Sequence, residues 1–122
     1  MAPQFHHIDP RSLLDAIGAD RDTFVHLVGM FLRSTPQSRD ALAAALAADQ
    51  REPARRLAHE LRGNVVIFGA TDLAANLAQL EKALGDGAAP PALAAHCHAL
   101  IDAVLDEMRQ ALDQQGALTR ND

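Results

Sequence analysis

The chain has no tryptophan and no tyrosine, and aromatic residues make up 3% of its 122 positions. The β-branched and aromatic residues that favour strands are scarce throughout, which argues against a β-sheet protein. There is one cysteine, Cys97, so no intramolecular disulfide can form and nothing calls for an oxidising compartment. No run approaches the roughly 20 apolar residues of a membrane span. The opening MAPQFHHIDP lacks a basic stretch followed by an apolar one, so no signal peptide is expected. A formal net charge of −5 argues against a nucleic-acid binder that works by neutralising phosphates. Glycine-rich phosphate loops and Walker motifs are also missing, and no Mg²⁺ site stands out. These absences leave a cytoplasmic protein with no cofactor of its own, no nucleic acid and no membrane partner.

What is present is alanine and leucine, the strongest helix formers, within a composition that is 48% hydrophobic. The expected fold class is all-α. A short first helix spans about Asp9 to Ile17, with Asp9 as N-cap and Pro10 at its first position, and Gly18 ends it. The second begins after Asp20 and carries Phe24, Leu27, Val28, Phe31 and Leu32 at helical spacing. Pro36 is expected to kink or break it, with Ser34 or Thr35 capping a restart that carries Leu42, Ala45 and Leu46. The third runs from about Glu52 to Phe68, with Asp49 as a candidate cap. The fourth runs from a Thr71 or Asp72 cap to Leu84, with Leu73, Leu77, Leu80 and Leu84 as its stripe. The fifth extends from Pro90-Pro91 to about Gln115, and Gly116 to Asp122 are expected to fray. Short turns between these helices suggest one antiparallel four-helix bundle with a short extra N-terminal helix, a single domain over 1–122 with its core at about 9–115.

The third helix carries the chemistry. With 100° per residue and Leu57 at zero, Ala54, Leu61, Val65 and Phe68 fall within about 80° on one side, the expected buried stripe. His59 falls at about 200°, nearly opposite, sharing the outer face with Arg55, Arg56, Gly63 and Val66, while Arg62 lies toward the edge. Gly63 costs about 1 kcal/mol relative to alanine inside a helix, yet it sits one turn after His59, where a missing side chain opens space beside the imidazole. Val66 is apolar on a face that should prefer charge. An accessible imidazole among guanidinium groups suits phosphoryl transfer: neutral imidazole is nucleophilic, and arginine offers charge-assisted hydrogen bonds to phosphoryl oxygens.

From Ala58 to Glu81 the chain resembles the histidine-containing phosphotransfer (HPt) family. The resemblance rests on His59, Leu61, Arg62 and Gly63, then Gly69-Ala70, then Leu80-Glu81, with Phe31-Leu32, Pro36 and Leu42 upstream. It implies a phosphorelay intermediate, a phosphoryl carrier and not an enzyme with an ATP site. Its partners would be response-regulator receiver domains and a hybrid sensor histidine kinase. By that resemblance His59 is the phosphoacceptor, through Nε2. Arg62 offsets phosphate charge, Gly63 gives access, and Glu81 orients the ring through its other nitrogen. Arg55, Arg56 and Val66 would help dock the receiver, and any Mg²⁺ would belong to that partner. Asn64 and Val65 depart from the small residues many members carry. Gly85 supplies no cation one turn after Glu81, which leaves Lys82 as the basic residue nearby.

Plainer readings apply elsewhere. His96 and His98 project about 200° apart on a helix and cannot share one ion, so no metal site is expected there, and Cys97 reads as a small buried hydrophobe. His26 reads as partly buried, and His6-His7 as an exposed arm. A monomer is expected. The alternative function is a docking domain of the same fold that binds receivers or kinases with His59 unphosphorylated. An inert version would not need Arg62, Gly63 and Glu81. A metal-carrying bundle would need paired Glu-x-x-His motifs, which are absent.

Overall fold

The computed structural model describes residues 5–115, and the expected fraying after Gln115 lies outside the described residues. Five helices follow one another: α1 (Pro10–Ala16), α2 (Arg21–Ala47), α3 (Arg51–Val66), α4 (Thr71–Asp86) and α5 (Pro91–Asp113). Among the described residues there is no strand. Each of α2 to α5 packs on its neighbour in sequence, and α5 closes the ring against α2, with α3 against α4 as the most extensive interface. That is the antiparallel bundle expected from short connections. α1 adds Leu13 and Leu14 to a hydrophobic cluster that runs through all five helices. Among the described residues no helix is long and apolar enough to cross a membrane.

Helix ends explain the boundaries. Asp9 and Asp20 cap α1 and α2 by accepting from the backbone N–H of Arg11 and Thr23. Asp49 does not cap α3. Its φ of 55° makes it the left-handed residue that closes α2, where Gln50 N–H donates to the Ala45 carbonyl and Asp49 N–H to that of Leu46. The same closure ends α3 at Gly69, where Ala70 N–H reaches Val65 and Gly69 N–H reaches Val66. Glycine is required at that position twice over. Its φ is 70°, and a Cβ there would lie 2.6 Å from the Cβ of Asp9. Helix α4 consequently starts directly after Ala70, so Thr71 and Asp72 are its first two residues and neither is its cap.

α2 runs through Pro36 without the expected break, and no restart cap is needed. A mid-helix proline costs about 3 kcal/mol. Buried Phe31 and Thr35 before it, and Leu42 and Ala45 after it, hold both halves against the core. Thr35 lies within this core instead of capping a new helix.

The arm before α1 is tied down by α5. The backbone N–H groups of His6, His7 and Ile8 donate to the buried Glu107 carboxylate at 3.0, 2.8 and 3.3 Å, which satisfies a charge that burial would otherwise penalise. His6 is exposed as expected, whereas His7 is half-buried. Asp9 N–H donates to the Phe68 carbonyl at 2.8 Å, and Phe68 meets Phe31 edge-on with ring centroids 4.9 Å apart. The end of α3 is thereby fixed against both the arm and α2. His26 is exposed, not partly buried, because α2 turns that flank outward.

Cys97 is buried on α5, and burial pushes its thiol from 9.0 up to about 11. The folded state therefore disfavours the thiolate. Stability from this group is complete below about pH 9 and is lost as pH rises from there through about 11. The chain has no tyrosine and no second cysteine to ionise alongside it. Urea unfolding between pH 8 and pH 11 should show a loss on the order of 2 kcal/mol. In Cys97→Ala that slope should largely vanish.

Candidate functional site

Ala54, Ala58, Leu61 and Val65 are the buried positions of α3. Leu57 is only half-buried, whereas Ala58 is fully enclosed. The buried stripe is therefore rotated toward α4 relative to the sequence expectation. His59 stands outside the stripe, about 130° from its centre, and its ring is reached by a side chain from α4.

That side chain is Glu81. Its Oε1 lies 2.9 Å from His59 Nδ1, and its Oε2 lies 3.2 Å from an Arg62 guanidinium nitrogen. The same Arg62 nitrogen is 3.3 Å from Nδ1. Nδ1 cannot both accept from Arg62 and donate to Glu81. A carboxylate only accepts and a guanidinium only donates, so the consistent assignment places a proton on Nδ1, donating to Oε1, while Arg62 donates to Oε2. In the neutral ring the free lone pair is then on Nε2. The His59 side chain is 64% exposed and that of Glu81 20%, so the carboxylate is sheltered while the ring projects outward.

The other expected residues divide into two groups. Arg55, Arg56, His59, Glu60 and Glu81 line a hollow of about 270 Å³ beside the ring. Arg55 is held by two hydrogen bonds of 3.1 Å to Glu52, which raise the guanidinium's pKa and lower that of the carboxyl group. Its stem lies over Gly85, where a Cβ would be 3.8 Å from Arg55 Cδ, so a side chain from α3 occupies the space that α4 leaves open. Gly63 belongs to a second hollow, about 430 Å³, between α2 and α3, lined by Leu27, Met30, Phe31, Ser34, Asn64, Ile67 and Phe68. A Cβ on Gly63 would meet nothing within 4 Å, so the glycine is not there for packing. Val66 is 57% exposed close by, and Met30 and Ile67 are 47% and 41% exposed.

Met30 and Ile67 were missed as surface residues by the sequence reading. The signal was present: Val65-Val66-Ile67-Phe68 and Leu27 to Leu32 are apolar over more than one helix face, and such runs must expose part of themselves. Among the described residues, no group of three or more His, Cys, Asp or Glu is placed to hold a metal ion, and His96 and His98 are both exposed on either side of buried Cys97.

Residues 26–116 match the family model of the Hpt domain. The chain belongs to the Hpt family. Proteins of this family carry phosphoryl groups within phosphorelays and are not ATP-using enzymes. The fold is also similar to the crystal structure of histidine-containing phosphotransfer protein B from Pseudomonas aeruginosa PAO1. The TM-score is 0.79 and the identity 26%, covering 93% of this chain and 98% of that one. No curated protein sequence matches significantly.

Variants at Glu81 and Gly63 test the geometry. Glu81→Ala should remove the acceptor that selects the Nδ1–H tautomer, and ¹⁵N spectra of the His59 ring should shift toward a tautomer mixture with little change in melting temperature. At position 63, alanine should stabilise the helix by up to about 1 kcal/mol. Gly63→Gln should keep the fold yet weaken receiver binding, measured by calorimetry.

Proposed function

We propose that this chain is the histidine carrier of a two-component phosphorelay, accepting a phosphoryl group on His59 Nε2 from a receiver-domain aspartate and passing it to another receiver. The observation that carries the reading is the Nδ1–Glu81 hydrogen bond, which leaves the Nε2 lone pair on an exposed ring. In the forward step the Nε2–P bond forms as the acyl phosphate P–O bond breaks, and the aspartate leaves as carboxylate. The Nδ1 proton stays in place, so the ring becomes cationic, and the Glu81 carboxylate balances that charge without any proton having to move. The reverse step follows the same path, which suits a carrier that must both load and unload. Divalent metal would be supplied by the receiver.

The apolar α2–α3 hollow beside Gly63 fits a partner's apolar surface, and Val66 and Arg56 are exposed elsewhere on α3. A hybrid sensor kinase and its receivers are the partners proposed, with the chain as a cytoplasmic monomer. The same hollow would serve a docking domain that never carries phosphate. Transfer decides between them. A phosphorylated receiver from the same organism should label the wild type with an acid-labile, base-stable phosphate, and His59→Gln should take no label. Because His59 is exposed, that variant's stability should stay within about 0.5 kcal/mol of wild type. Binding by every receiver tested, without label on any, would favour the docking domain.

A further inference from the structure

Three guanidinium groups lie within one turn of His59, and they are not equivalent. Arg62 is three residues after His59 and Arg56 three before it, which places them about 60° to either side of the histidine around the helix. Arg62 is on the flank facing α4, where it donates to Glu81 Oε2 while Oε1 accepts from Nδ1. It is committed to the ring's Nδ1 side. Moving it toward a phosphoryl group would break its bond to Glu81 Oε2. Arg55 is committed as well, by its two bonds to Glu52. Arg56 is exposed, forms no hydrogen bond or ion pair among the described residues, and lines the hollow beside the ring together with Arg55, Glu60 and Glu81. Glu60 lines the same hollow, so a phosphoryl group there needs a cation that is not already paired.

Resting on the carrier reading above, we infer that Arg56 is the cation that steadies the phosphoryl group on His59, while Arg62 is a positioning residue that serves the imidazole through Glu81. The division of labour departs from the one implied by family resemblance, which gives the phosphate to Arg62. Arg56 is available at no rearrangement cost, since no existing pair has to open.

Phosphoramidate tests this without any receiver. Its P–N bond breaks, ammonia leaves, and the phosphoryl group forms a new bond to Nε2. The full chain is labelled this way as wild type, Arg56→Gln, Arg56→Lys and Arg62→Gln, and the phosphohistidine is followed by ³¹P NMR. In Arg56→Gln the phosphoryl group should take up its last proton at higher pH, and the label should be lost about three to ten times faster. Arg56→Lys should recover most of both. Arg62→Gln should leave the ³¹P titration near wild type and instead disturb the ring ¹⁵N signals. An Arg56→Gln protein with the wild-type titration and lifetime, or an Arg62→Gln protein that shifts the titration instead, would overturn the assignment. Wild type that takes no label on His59 would fail the carrier reading itself, and Arg56's role with it.

Discussion

The Glu81 carboxylate spans the gap between α4 and α3 with one oxygen on each of two partners, His59 Nδ1 and Arg62. It can do so only if the two helices are held in one register and one rotation. Register is set by burial: Leu61 and Val65 on α3, and Leu73, Leu77 and Leu80 on α4, are all fully enclosed. Rotation is set by the burial of Ala54 and Ala58 beside Leu61 and Val65, which leaves His59 outside the stripe and within reach of α4. The connection is set by Gly69, whose positive φ closes α3 and whose missing Cβ admits Asp9. A slip in any of these would move the carboxylate away from the ring, because a hydrogen bond at 2.9 Å tolerates little displacement.

Much of this was legible before any coordinates. Apolar periodicity located the four long helices, since burial of a stripe and helical spacing are the same fact seen twice, while Asp9, Pro10 and Gly18 marked the short first one. His59, Arg62, Gly63 and Glu81 were visible as an ordered set, and the structure brings His59, Arg62 and Glu81 within hydrogen-bond range of one another. The boundaries were less legible. Asp49 looks like an N-cap because aspartate favours caps, but it also tolerates the left-handed region, and sequence alone does not say which property is in use. A kink or break at Pro36 follows from local propensity alone, and α2 is unbroken there because packing on either side of the proline holds it. The pairing of Arg62 with Glu81 in place of an open face depends on the distance between two helices, which no one-dimensional pattern contains.

The interior repeats one theme away from the site. Glu107 is buried on α5 and gathers three backbone N–H groups from the arm, much as Glu81 gathers two donors at the rim. In each case a carboxylate ties together segments distant in sequence, and in each case its acceptors are filled. The arm in turn meets the end of α3 through Asp9 and Phe68. The helix that carries His59 is therefore held at its far end by contacts that never touch the imidazole.

The exposed ring and the α2–α3 hollow are adjacent on one side of the bundle, with Gly63 between them. A carrier of the kind proposed, built this way, would accommodate one partner at a time. Phosphoryl donors and acceptors would have to take turns on the same ground, giving ping-pong kinetics and not a ternary complex. Throughput would then depend on the ratio of the two receivers as well as on their amounts, and an excess of either unphosphorylated partner would act as a competitive brake on the relay.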